Sequence, residues 1–169
     1  MIELQPFTDG DIDRLIGWIR SPEDLFVWTA TTFEYPLTWE QVKKFVDECR
    51  ARGDRQFFKA VADGEVFGHV ELGAIDHRNK SLRIGRVVID PALRGRGLGA
   101  GMMRAAVEKS FEELKMHRVE LWVLDDNRRA IAAYERVGFQ REGVLRDFFK
   151  TPEGYRNVIV MSILDREWS

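Results

Sequence analysis

Between Arg94 and Gly99 the sequence reads RGRGLG, then runs straight into AGMMRAAVEKSF. The apolar stretch LRIGRVVID precedes it and is closed by Pro91, so a strand leads through a glycine-rich loop into a helix. A helix N-terminus presents unpaired N–H groups and a partial positive charge, and glycine lets an anion come close to that backbone. Arg94 and Arg96 add full charges beside it. The helix dipole alone is worth only about 0.3–1 kcal/mol per anionic group, so tight binding needs several N–H bonds to a multiply charged group such as a pyrophosphate. A plain turn would start the helix with fewer glycines than Gly95, Gly97 and Gly99. No Gly-Lys-Ser/Thr follows, which excludes the P-loop. Gly95, Gly97 and Ala100 formally satisfy the dinucleotide pattern G-x-G-x-x-A, with Asp125 and Asp126 downstream. However, DPALR separates those glycines from the strand, and 169 residues leave no room for a second nucleotide-binding half plus a substrate domain.

Elsewhere the periodicity is that of an α/β (α+β) chain. IELQPF alternates as a strand, and Ile12, Leu15, Ile16 and Ile19 have helical spacing after Thr8, with Pro22 as the stop. Residues 23–37 are aromatic and irregular. Thr38 with Gln41 predicts a helix to about Arg52, ended by Gly53. QFFKAVADGEVFGHVELGAI predicts a hairpin turning at Asp63-Gly64, which implies antiparallel pairing. After the helix that carries Met102, Met103, Ala106, Val107, Phe111 and Leu114 come the strand RVELWVL and the helix NRRAIAAYERV with Gly138 as its stop. Two closing strands, FQREGVLRDFF and YRNVIVMSIL, complete the chain. The order β-α-α-β-β-β-α-β-α-β-β predicts one domain over 1–169, a mixed sheet flanked by helices.

Several function classes are excluded early. A net charge of −2 gives no global field for nucleic acid. Cys49 is the only cysteine, and His69, His77 and His117 lack metal-ligand spacing, so no metal site is expected. MIELQPFTDGD has no basic region followed by an apolar run, and no segment reaches membrane-spanning length. A cytoplasmic chain without a membrane partner is therefore expected.

Two patterns in order make the reading specific. Arg94, Gly97 and Gly99 form Arg/Gln-x-x-Gly-x-Gly/Ala; Asn127, Ala130, Tyr134, Gly138 and Phe139 form Asn-x-x-Ala-x-x-x-Tyr-x-x-x-Gly-Phe. With them, residues 56 to 165 resemble the GNAT acyltransferase superfamily, and EGVLRD and MSIL-x-x-EW resemble its ribosomal-protein and polyamine N-acetyltransferase branch. The resemblance implies a mostly antiparallel sheet splayed between the strands near 83–90 and 118–124, with a homodimer as one expected assembly. It implies that Arg94, Gly95, Arg96, Gly97, Leu98, Gly99 and Ala100 hold the pyrophosphate of acetyl-coenzyme A. Val87, Val88 and Ile89 would pair with its pantetheine arm, and Asn127 and Ala130 would contact that arm. An asparagine here also suits a helix N-cap, and the two roles can coexist.

The implied reaction is N-acetylation of a primary amine of a small molecule or peptide, in a ternary complex. By the same resemblance Tyr134 is the acid for the departing thiolate; by periodicity alone it is a core aromatic on the Ala130–Ile131 stripe. A backbone N–H of Val88 or Ile89 would polarise the thioester carbonyl. Glu71, in an otherwise apolar strand, is either the general base or the cross-strand ion-pair partner of Arg86. Phe26, Trp28, Phe33 and Tyr35, with Tyr155 beside them, are the acceptor-pocket candidates, or else core. Cys49 reads as a passive thiol and His69 as a strand-surface residue. A coenzyme-binding module without turnover is the alternative, and a nicotinamide oxidoreductase is opposed by the strand order.

Overall fold

The computed structural model describes residues 1–168. Its centre is a sheet in the order β1-β2-β3-β4-β5-β7-β6. These strands are β1 (Ile2–Pro6), β2 (Gln56–Ala62), β3 (Glu65–Asp76), β4 (Ser81–Ile89), β5 (Arg118–Leu124), β6 (Gln140–Thr151) and β7 (Gly154–Leu164). Asp63 and Gly64, at φ +51° and +81°, make the expected tight β2–β3 turn. Every pairing is antiparallel except that of β4 with β5, which is parallel.

That parallel pairing is short. It runs from Ser81↔Arg118 to Ile84↔Leu121 and then stops, although β4 continues to Ile89 and β5 to Leu124. The splay expected between these strands opens at this point. It coincides with a bulge: between Glu71↔Gly85 and His69↔Val88, β4 carries one residue more than β3. An inserted residue bends its strand and sharpens the twist, carrying the rest of β4 away from β5.

Helices cover both faces. Helices α1 (Ile12–Gly17), α2 (Pro22–Thr29) and α3 (Trp39–Arg52) bury Ile12, Leu15, Leu25, Trp28, Val42 and Val46 with Phe57 and Val88 on one side. On the other, α4 (Leu98–Glu108) and α5 (Arg128–Val137) bury Met102, Met103, Ala106 and Ile131 against Phe67, Val70, Leu82, Leu121 and Met161. Gly68 permits the close approach of α4, because a Cβ there would stand 2.9 Å from Met102 Sδ and 3.0 Å from the Val88 carbonyl.

Helix α2 is the main departure from the sequence reading, which leaves residues 23–37 irregular and takes Pro22 as a stop. Pro22 instead occupies the first turn of α2. The Ser21 side chain accepts from the Asp24 N–H at 3.0 Å, and Glu23 and Asp24 fall at the positive end of the helix dipole. Proline fits that position because its missing N–H has no intrahelical partner there. No helix among the described residues is long and apolar enough to cross a membrane.

Candidate active site

The splay holds a cavity of about 830 Å3, walled by β4, β5, α2, the glycine-rich loop with the start of α4, and α5. Its size suits a drug-sized or larger ligand. Of the residues picked out in the sequence, Val87, Val88, Ile89, Arg94, Gly95, Gly97, Leu98, Gly99, Ala100, Asn127, Ala130, Tyr134, Phe26 and Trp28 all border it. Arg96, Phe33, Tyr35 and Glu71 do not.

Gly97 is the N-cap of α4 at φ +79° and supplies no side-chain cap, so the first-turn N–H groups of α4 are left for a ligand. Gly95 precedes it at φ +90°, and the Arg129 Nη2 atom stands 3.5 Å from where a Cβ on Gly95 would be. Arg129 and Arg136 thus join Arg94 among the basic side chains of the cavity wall. Neither was found from the sequence, because α5 meets the loop and the cavity only in the folded chain. Arg96 is exposed and borders no part of the cavity.

The β4 wall is an open strand edge. The Asp90 N–H donates to the Phe67 carbonyl at 2.8 Å, and Arg94 Nε donates to the Ile89 carbonyl at 3.3 Å. Peptide groups alternate in direction along a strand, so those of Val88 turn to β3 while those of Val87 and Ile89 turn to the cavity. Between the two expected carbonyl-polarising donors, Val88 and Ile89, the register therefore turns Ile89 inward. The Val88 side chain packs with the α1–α3 core.

On α5, Asn127 does cap the helix, accepting from the Ala130 N–H at 3.2 Å, while also bordering the cavity. Tyr134 lies two turns further on, its ring edge-on to Phe139 at 6.2 Å. Burial without a charged partner pushes its phenol up to about 12, so the hydroxyl keeps its proton throughout the neutral range.

The four aromatic candidates divide. Phe26 and Trp28 project from α2 to the cavity. Phe33 stacks behind Trp28 at 5.9 Å and meets Phe45 edge-on at 5.2 Å, half-buried against the α1–α3 core rather than on the cavity. Tyr35 is 46% exposed and donates to the Arg20 carbonyl. The cause is helix α2 itself, which with its C-cap presents residues up to Ala30 to the cavity, after which the chain turns away. Phe149 takes a place in the wall that sequence reading did not foresee, against Phe26 at 5.9 Å. Tyr155, by contrast, is exposed.

Glu71 is 2% exposed and accepts from Arg55 Nη1 at 2.9 Å and Arg86 Nη1 at 3.0 Å, with His69 Nε2 at 3.2 Å. Burial alone would raise its pKa, but His69, Arg86 and Arg55 together hold it below the usual carboxylate range. The ion pair with Arg86 is present, although the register sets Glu71 against Gly85 and the bulge brings Arg86 round. Arg86 sits in the left-handed region at φ +45°, which costs a residue with a Cβ about 1–2 kcal/mol. His69 is not at the surface as expected: it is enclosed by Phe7 at 4.9 Å and Trp28 at 6.0 Å. Cys49 is buried and free, with Arg52 Nη2 3.1 Å from its sulfur.

Arg156 bridges Glu23 of α2 at 2.9 Å and Asp126 at 2.8 Å, with its guanidinium 5.1 Å from the ring centre of the wall residue Phe26. Asp24 also borders the cavity, with its Oδ2 accepting from the Arg20 N–H at 3.0 Å. Among the described residues no group of three His, Cys, Asp or Glu side chains could hold a metal ion.

Comparison with known proteins gives one consistent picture. The model of the acetyltransferase (GNAT) family matches residues 12–139. The spermidine N(1)-acetyltransferase of Vibrio cholerae is 30% identical over 168 residues, covering 99% of this chain and 95% of that one. The probable N-acetyltransferase YjcK of Bacillus subtilis is 32% identical over 170 residues, covering 97% and 94%. Among solved structures, the Vibrio cholerae spermidine N-acetyltransferase in complex with CoA and spermine superposes with a TM-score of 0.87. It shares 23% identity over 98% of this chain and 96% of that one, a likeness that speaks to the fold.

Proposed function

The chain belongs to the acetyltransferase (GNAT) family and catalyses acetyl-coenzyme A-dependent N-acetylation, and from that premise we propose that its acceptor is a small alkyl polyamine, acetylated directly in a ternary complex within one domain. The observation that carries this reading is the cavity in the splay. Its lining combines a capless helix start with Arg94, Arg129 and Arg136, which suits a pyrophosphate, and it includes Asp24, Phe26 and Trp28, which suit an ammonium on an alkyl chain. The Vibrio cholerae relative is named for spermidine, and its solved structure for CoA and spermine.

In this mechanism the first-turn N–H groups of α4 and the three arginines hold the coenzyme phosphates. Backbone groups of Val87 and Ile89 pair with the pantetheine arm, as a peptide would add to a strand edge. The Ile89 N–H donates to the thioester oxygen as it becomes negative. The amine, free of its ammonium proton, bonds through nitrogen to the acetyl carbon; the carbon–sulfur bond breaks, the thiolate takes the Tyr134 proton, and the second proton shed by the new amide nitrogen returns to the tyrosinate through solvent. A phenol near 12 donating to a thiolate whose conjugate acid is near 8.5 climbs about 3.5 units, or about 5 kcal/mol. Desolvation of the thiolate in the same apolar wall raises its own pKa and narrows that gap. The ammonium proton leaves to solvent rather than to Glu71, whose depressed pKa and enclosure make it a poor base.

The test is release of coenzyme A thiol from acetyl-coenzyme A across polyamines, amino acids, aminoglycosides and short peptides. The expected result is release with spermidine and spermine that drops about 100-fold or more in Tyr134→Phe, as loss of an acid typically costs, with coenzyme affinity retained. Release with peptides alone would overturn the polyamine assignment. Tight coenzyme binding without release for any amine would favour a binding module.

A further inference from the structure

The backbone that faces the cavity begins at a single irregular residue. Parallel pairing of β4 with β5 ends at Ile84, and the bulge against β3 follows at once, with Arg86 at φ +45° taking up the extra length. The direction of Val87 and Ile89 is therefore set at Arg86.

Arg86 borders the cavity, but Glu71, Thr32 and Phe45, which hold its guanidinium, do not. Its Nη1 donates to Glu71 Oε2 at 3.0 Å and its Nη2 to Thr32 Oγ1 at 3.0 Å. Its guanidinium lies 4.5 Å from the Phe45 ring centre, and its carbonyl accepts from Trp28 Nε1 at 2.8 Å. Glu71 is the one anion in this clamp. Arg55, at 2.9 Å, ties it to the start of β2, and His69 fixes its other oxygen. A carboxylate closed in by three donors, on no wall of the cavity, has no path to an acceptor amine.

We propose that Glu71 is a positioning residue: through Arg86 it fixes the bulge that aims the Val87 and Ile89 peptide groups at the coenzyme's pantetheine arm. The inference rests on the acetyltransferase reading above and assigns Glu71 neither proton transfer nor substrate contact.

The experiment compares Glu71→Gln, Arg86→Ala, Arg86→Lys and the double variant Glu71→Gln/Arg86→Ala. It measures coenzyme A affinity by calorimetry, KM and kcat for acetyl-coenzyme A, the pH–rate profile and Tm. Glu71→Gln and Arg86→Ala are each expected to weaken coenzyme affinity about 10- to 100-fold, the range for misplaced binding groups, with the profile unchanged in shape. Arg86→Lys recovers part of the loss, and the double variant is no worse than the poorer single one, because both act through one contact. Glu71→Gln leaves two guanidinium groups without their counter-charge. If it fails to fold, the Arg86 variants decide alone, since Arg55 and His69 still satisfy Glu71. Unchanged coenzyme affinity with a lowered Tm would make the clamp merely structural and overturn the proposal. A fall in kcat alone, with loss of the acidic limb, would overturn it in favour of a base. Wild-type protein that binds no coenzyme A would instead remove the acetyltransferase reading itself.

Discussion

Gly99 separates what the fold needs from what the ligand needs. Gly95 and Gly97 have positive φ, so any side chain there strains the loop and confuses the two. Gly99 has ordinary helical backbone, and a Cβ on it would meet only Ile89 Cγ1, at 4.0 Å. Gly99→Ala is thus expected to hold or raise Tm, since alanine is the better helix former, while weakening coenzyme A affinity about tenfold by filling the space a phosphate approaches. Calorimetry and thermal melting on one preparation check this, and unchanged affinity would place the phosphates elsewhere. Single residues were legible where one residue type has few uses. The glycines, Asn127 and Tyr134 all border the cavity. Arg129, Arg136 and Phe149 were not legible, because a surface arginine on a helix and a phenylalanine on a strand carry no local mark of what they will face.

At the scale of elements, strands and turns were readable because alternation and an Asp-Gly turn are local signals. Helix α2 was missed although Ser21-Pro22-Glu23-Asp24 is a helix-start signal; its short apolar face was hidden by aromatics, which fit core and pocket alike. The bulge at Arg86 has no sequence signature at all, being a product of how β3 and β4 align. Helix α1 shows what holds such short elements. Buried Asp11 at its start accepts from the Thr8 N–H and Oγ1, both at 2.9 Å, from Arg14 at 2.7 Å, and from Lys59 on β2 at 3.2 Å. Burial by itself would raise its pKa; these bonds outweigh it and bring it from 3.8 to about 2. A carboxyl depressed by folding contributes stability above its unfolded pKa and loses it as pH falls through the folded one. The contribution is about 2 kcal/mol, so Asp11→Asn is expected to melt about 4–8 °C lower at pH 7. The gap should narrow between pH 4 and pH 2. A gap independent of pH would mean that shape, rather than charge, matters at this position.

As a whole molecule, the protein is a sheet divided at the splay. The half made of β1 to β4 and the half made of β5, β7 and β6 share a ladder of four residue pairs. Arg156 of β7 joins them through Glu23 of α2, and its second partner, Asp126, lies in its own half; both carboxylates are well exposed and so add little stability, about 0.2–1 kcal/mol per pair. A coenzyme lying along β4 with its phosphates at α4 and its arm against α5 would add a bridge between the halves at the splay, where the sheet itself has none. Binding to the folded state alone adds about 2.7 kcal/mol at one hundred times Kd. For a chain of this length that corresponds to a rise in Tm of about 5–10 °C. Hydrogen exchange should show where the gain resides. Slowing is expected at residues 85–90 of β4, at 94–100, and at the start of α5, on both sides of the splay, with β1 and the exposed edge strand β6 unchanged. Slowing confined to α4 and α5 would mean that the ligand rests on one half alone, and that the open edge of β4 is not its partner.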